Sequence, residues 1–177
     1  MSLKILSTRT VLECSVFDVE KSVVQQDGLV YQREIVRHPG SAVIVPLFDD
    51  GTVALVEQYR HAAGKSLLEL PAGSLEKNET PTECASREIV EEIGFAAGKL
   101  EKLTEFFVSP GFLTEKMHVF LATGLKPAEG RPDFDEVINV HRIKLDVLAE
   151  MVHRNEIADA KSMVGILLTF SRIRSAL

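Results

Sequence analysis

Three carboxylates in a short stretch carry the clearest chemical signal in this sequence. Glu88, Glu91 and Glu92 lie three and four residues apart in "REIVEEIGF", so a helix would present all three on one face. Like charges at that spacing repel by about 0.2–0.5 kcal/mol per pair. The common relief is a Lys or Arg four residues on, but those positions hold Glu92, Phe95 and Ala96. Arg87 is placed to pair with Glu91 and Glu83, which leaves Glu88 and Glu92 without a local counter-charge. A hard divalent cation resolves the conflict, because Mg²⁺ takes oxygen ligands and completes its shell with water and substrate phosphates. A solvated acidic face is the competing reading.

The segment around these residues has its own start and stop signals. Thr80 is a candidate N-cap, Pro81 suits the first helical position, and Glu83 completes a T-x-x-E capping box. Gly94 stands where a C-terminal stop is expected. Ala85, Ile89 and Ile93 form an apolar stripe beside the carboxylates, so one side can be buried while the acids stay at the rim. The preceding loop, "LPAGSLEKNE", bends at Gly73, where a backbone without Cβ can approach a ligand closely.

The rest of the chain reads as the scaffold. "AVIVPLF" and "TVALVEQY" are strands joined by a "DDG" hairpin, followed by "SLLEL". "KLTEFFV" and "MHVFLAT" flank the turn "SPGFLTE", and "VINVHRI" is a late strand. From Asp159 onward, Met163, Ile166, Leu167, Phe170 and Ile173 have helical spacing. "CSVFDVEKSVV" and "LVYQREIVR" flank "QQDG", so the first forty residues read as a β-meander. "HPGS" marks a boundary, giving residues 1–38 as an appendage and 39–177 as the main domain. The fold class is α+β, a mixed sheet packed by two or three helices.

Bulk properties narrow the function. The 177 residues are 45% apolar and 26% charged, with net charge −6, the profile of a soluble globular protein. The cations are scattered, which argues against nucleic acid or an anionic membrane as partner. No apolar run is long enough to span a bilayer. Cys14 and Cys84 have no metal-ligand spacing, and a reducing, cytoplasmic setting fits them.

The acidic segment resembles the Nudix box, G-x5-E-x7-R-E-U-x-E-E-x-G-U, where U is bulky and aliphatic. Gly73, Glu79, Arg87, Glu88, Ile89, Glu91, Glu92 and Gly94 fill its fixed positions, and Phe95 stands in for the last aliphatic. The resemblance implies the Nudix fold, a mixed β-sheet sandwiched between helices, and hydrolysis of nucleoside diphosphates linked to another group with Mg²⁺ or Mn²⁺. Carried over by position, Glu88 and Glu92 are metal ligands, Glu91 is a third or water-mediated one, and the Ala72 carbonyl contributes. Arg87 and Glu79 are implied to brace the loop through an ion pair.

Features outside the box resemble the ADP-ribose pyrophosphatase branch of that family. They are Pro110, sixteen residues after Gly94, and the contexts "VEQYR…LELPAG" and "VRHPGSAVIVPL". Arg60 and Arg37 match substrate-contacting arginines there, in keeping with the bidentate fit of guanidinium to phosphate. The N-terminal meander is similar to the part by which such enzymes dimerise, so a homodimer is implied, with Phe17 and Tyr31 as candidates to stack the base. The expected reaction is Mg²⁺-assisted attack of water on the diphosphate of ADP-ribose, yielding AMP and ribose 5-phosphate. Glu136 in "DFDEVINV" is the candidate general base, with Asp135 and Asp133 as neighbours able to replace it. Glu91 and Glu92 are the other catalytic candidates. GDP-mannose or another nucleotide sugar is the alternative substrate, and a non-catalytic nucleotide-sugar sensor is the alternative class.

Overall fold

The computed structural model describes residues 2–130 and 138–175. The chain falls into two compact units, Met1–Gly40 with Phe106–Met117, and Ser41–Glu105 with His118–Leu177. In the first, β1 (Leu3–Glu13), β2 (Asp18–Gln26) and β3 (Leu29–Arg37) form an antiparallel meander in that order. Asp27 and Gly28 turn the second hairpin with φ of 49° and 84°, the positive values that match strand twist. The segment after residue 105 is tied to β3 through its backbone. Val36 donates to the Phe112 carbonyl at 2.7 Å and accepts from Thr114 at 3.0 Å.

The second unit holds nine strands and three helices among its described residues. In chain order these are β4 (Ser41–Pro46), β5 (Thr52–Arg60), β6 (Lys65–Glu69), β7 (Ala72–Ser74) and α1 (Pro81–Ile93). Then come β8 (Phe95–Ala96), β9 (Lys99–Phe107), β10 (Lys116–Thr123), β11 (Lys126–Pro127) and β12 (Asn139–Lys144). Helices α2 (Leu145–His153) and α3 (Ala160–Ser175) close the chain. The strands order as β7-β4-β10-β9, β12-β5-β6 and β11-β8.

Strand β4 is the centre of the packing, and all six of its residues are buried. On one side α1 sets Cys84, Ala85, Ile89 and Ile93 against Ala42, Ile44, Phe120 and the β5 residues Ala54 and Val56. Each large aliphatic buried there contributes about 1.5–3 kcal/mol. On the other side α3 packs on β4. Gly165 makes that contact close: a Cβ there would lie 2.5 Å from Leu70 Cδ1 and 3.0 Å from Val45 Cγ2.

Two expectations need correction. The "DDG" segment does turn, with Phe48 N–H donating to the Thr52 carbonyl at 2.9 Å, but a single Leu47–Val53 bridge is all the ladder it supports. Beyond it β4 pairs with β7 and β10 while β5 pairs with β12 and β6, so the two strands enter different sheets. In α3 the buried face is Lys161, Ser162, Gly165, Ile166 and Thr169. Of the expected apolar stripe only Ile166 is fully buried. Small side chains let the helix sit close to the sheet, and the larger apolar residues flank that seam.

Candidate active site

Helix α1 forms as its termini dictate. Thr80 Oγ1 accepts from the Glu83 N–H, and the Glu83 carboxylate accepts from the Thr80 N–H at 2.8 Å. Gly94 ends the helix at φ 71°, donating to the Val90 carbonyl, a left-handed turn that glycine enters without penalty. With the apolar stripe on the core, Glu88, Glu91 and Glu92 face the β7 side and the rim.

Arg87 organises that rim. Its Nε and Nη2 donate to the two oxygens of Glu79 at 2.9 and 3.0 Å, and Nη1 donates to Glu88 at 2.7 Å and Glu91 at 2.9 Å. Its guanidinium is stabilised in the charged form, first by Glu79 and then by Glu88 and Glu91. Glu79 is held below the usual carboxylate range, chiefly by the Arg87 hydrogen bonds. The implied Arg87–Glu79 brace is thus present in the geometry. The sequence reading erred on the local counter-charge: Arg87 reaches Glu88 as well as Glu91, while Glu83 serves the cap instead. The reach exists because the long guanidinium stem swings past its own neighbour to lie between the two acids.

Glu88 and Glu92 are largely buried, at 8% and 6% exposure. Glu92 accepts from the Ala72 N–H at 3.2 Å. The Glu88 carboxylate lies over Gly73, where a Cβ would stand 1.6 Å from its Oε1. Gly73 sits in β7 opposite Ala42 without positive φ, so the requirement is for space and not for backbone freedom. Carboxylates and a backbone segment thereby meet in one place, an all-oxygen donor set of the kind a hard cation takes. Among the described residues no three His, Cys, Asp or Glu side chains converge into a metal cluster as they stand. They are splayed between Arg87 and the Ala72 N–H. The donor chemistry fits Mg²⁺ or Mn²⁺, and Glu88, Glu91, Glu92 and the Ala72 carbonyl are the groups that would hold it. A cleft of about 830 Å³ lies alongside, lined by Arg87, Val90, Glu91, Gly94, Ala128 and Gly130 among others.

The remaining expected residues are distributed over both units. Arg60 ends β5 and grips Glu69 with two hydrogen bonds of 2.8 Å; its charge is also felt by Glu92. In the first unit Arg37 ends β3 and pairs with Glu20 at 2.7 Å. Pro110 follows Ser109, whose carbonyl accepts from Phe112 and Leu113. The Val36–Phe112 bond brings this turn to the strand end that bears Arg37. Phe17 is exposed just before β2. Tyr31 donates to Gln26 at 2.6 Å, and Arg33 lies 4.2 Å over its ring. Glu136, Asp135 and Asp133 lie outside the described residues.

A second charged group escaped the sequence reading. Glu69, Lys161, Asp159 and Ser162 join Arg60 in a network behind the β6–β7 junction. The signal was a charge inside the apolar run "SLLEL": an acid there must be paired to be buried.

The NUDIX domain family model matches residues 37–163, and the chain belongs to that family. It is 39% identical to the ADP-ribose pyrophosphatase of Bacillus subtilis over 88% of this chain and 83% of that protein. It is 36% identical to the methanol dehydrogenase activator of Bacillus methanolicus over the same shares. A GDP-mannose pyrophosphatase of Klebsiella pneumoniae is 34% identical over 80% of this chain and 77% of its own. The crystal structure of an ADP compounds hydrolase shares the fold, with a TM-score of 0.87 over 99% of this chain and 96% of that one at 22% identity.

Proposed function

We propose that this protein hydrolyses the diphosphate of ADP-ribose, adding water across one P–O–P bridge to give AMP and ribose 5-phosphate. The carrying observation is the carboxylate rim of α1, laid against Gly73 and braced by Arg87, with every acid of the family motif in place. A binding module would not need that full set, and the Bacillus subtilis relative carries the matching name. A bound divalent cation supplies charge for the diphosphate and lowers the pKa of a water. The chain's own residues do the rest. Glu88, Glu91, Glu92 and the Ala72 carbonyl hold the cation, and Arg87 keeps Glu88 and Glu91 in register. Arg60 and Arg37 bind phosphate oxygens, the Pro110 turn shapes the substrate site, and Phe17 and Tyr31 flank the base. Glu136 takes the proton from the attacking water, and replacing it by Gln is expected to slow turnover by about 10²–10⁴-fold.

The protein acts, in this reading, as a cytoplasmic homodimer through residues 1–38. Leu3, Ile5, Val11 and Leu12 of β1 are exposed, an apolar strand that a second copy would cover. A monomer in light scattering at micromolar concentration would reject that part. For the reaction, purified protein is incubated with Mg²⁺ and ADP-ribose, GDP-mannose, ADP-glucose or NADH, and products are separated by chromatography. AMP and ribose 5-phosphate from ADP-ribose are expected. Preferential release of GMP from GDP-mannose would favour the second reading, which the Klebsiella relative supports. Turnover of none, with Mg²⁺ or Mn²⁺, would sink hydrolysis in favour of a sensor.

A further inference from the structure

The network behind Arg60 holds two buried charges that the reaction as proposed leaves unused. Glu69 is 1% exposed and Lys161 8%. Desolvating an ion pair costs about as much as its attraction returns, and an apolar pair of equal volume often stabilises as well. A role in placing charge is therefore the better account of their presence.

The contacts describe such a role. Glu69 accepts Arg60 Nε on one oxygen and Nη2 on the other, so the guanidinium plane is fixed and Nη1 is the nitrogen outside the fork. Lys161 donates to the Glu69 oxygen that also takes Nη2, and stands 3.0 Å from Asp159. Asp159 caps α3, accepting the Ser162 N–H at 3.0 Å, where the helix N-terminus favours a negative charge. Ser162 Oγ accepts the Leu70 N–H at 2.6 Å. The start of α3 is thereby bolted to the residue next to Glu69, two positions before Ala72.

An Arg–Glu fork alone is neutral and offers little attraction to an anion. Adding Lys161 gives the trio one net positive charge. Asp159, 3.0 Å from Lys161, offsets part of it, and the α3 N-terminus that Asp159 caps, worth about half a positive charge, offsets part of Asp159 in turn. We propose that Lys161 is a positioning residue for diphosphate binding: it shares Glu69 so that Arg60 is held rigidly yet keeps its pull on phosphate. This rests on the reading above that Arg60 contacts the diphosphate.

Calorimetric titration of ADP-ribose into the full-length protein in metal-free buffer tests it without requiring turnover. Lys161→Met is expected to weaken binding about tenfold and Arg60→Met at least as much, the worth of a charge-assisted contact. Lys161→Arg should restore affinity to within about twofold. In a double-mutant cycle, Arg60→Met with Lys161→Met should be no weaker than Arg60→Met alone, because Lys161 acts through Arg60. Kinetically, Lys161→Met should raise KM and leave kcat near wild type. Unchanged affinity in Lys161→Met, or additive losses in the cycle, would overturn the proposal. Should Lys161→Met not fold, Lys161→Gln carries the same expectations. Binding by wild type with no turnover after Mg²⁺ or Mn²⁺ is added would remove the hydrolase reading and leave this one standing; no binding in metal-free buffer together with no turnover in Mg²⁺ or Mn²⁺ would remove both.

Discussion

Two arginine-centred clusters lie along neighbouring elements and are built on opposite plans. Around Arg87 one guanidinium serves three carboxylates, Glu79, Glu88 and Glu91. Around Glu69 two cations, Arg60 and Lys161, serve one carboxylate, and Asp159 beside Lys161 caps α3. A cluster with excess acid is completed only when a cation arrives, and a fork with a second cation behind it is completed by an anion. The sign of the excess distinguishes the two clusters where burial does not, since Glu69, Glu88 and Glu92 are all nearly inaccessible.

The largest effect should come from removing charge on the acid-rich side. Glu92→Gln is expected to lower turnover by about 10³-fold, with metal-free stability equal to or slightly above wild type, because repulsion with Glu88 is relieved. Steady-state rates and thermal melting in chelator check both halves. Normal activity with a clear loss of stability would assign Glu92 to structure instead.

A smaller effect follows from filling the space that Glu88 occupies. Gly73→Ala puts a methyl where the carboxylate lies, and the flexible acid must turn away from Arg87. Stability should fall by about 1–3 kcal/mol, the worth of a charged hydrogen bond, and activity by more than that loss explains. Denaturant melts beside initial rates distinguish the two, and an unaltered rate would show that the site tolerates a displaced Glu88.

Acid should reach both clusters alike. In Glu69 burial opposes ionisation, but Arg60 and Lys161 outweigh it, so its pKa is lowered like that of Glu79. A lowered folded pKa gives stability that is complete above the ordinary value of 4.5 and is lost as pH falls through the folded values. Melting temperature should therefore be flat above that pH and decline below it. Glu79→Gln should shallow the decline, and an unchanged slope would deny the Arg87–Glu79 pair its share.

The smallest effect concerns a thiol beneath the acid-rich cluster. Burial, with Glu79 and Glu88 nearby, pushes Cys84 up to about 12. It should resist a disulfide reagent at neutral pH while exposed Cys14 reacts. Two fast thiols in the native protein would mean that α1 opens readily.

Much of this was legible because it is local. Capping residues, the apolar stripe of α1 and the spacing of its acids all act within a few residues, so Thr80 to Phe95 could be read directly. What failed depends on distance along the chain. Glu69 and Lys161 are 92 residues apart, and no periodicity announces that they meet. The α3 face was misjudged because apolar spacing reports hydrophobicity, whereas the contact selects small size at Gly165 and Ser162. Helical spacing pairs Arg87 with both Glu91 and Glu83; the first pair forms, but the capping box claims Glu83.

Strand β4 carries a further consequence. It has a hydrogen-bonded neighbour on each side, β7 and β10, a helix over each face, and no exposed residue. Its amides therefore meet solvent deuterium only when the second unit opens as a whole, and their exchange measures the global unfolding free energy of that unit. Gly73 and Ala72 pair with the same strand. The backbone beneath the acidic rim is thus anchored to the slowest-opening part of the unit, so the rim can rearrange its side chains around a fixed floor.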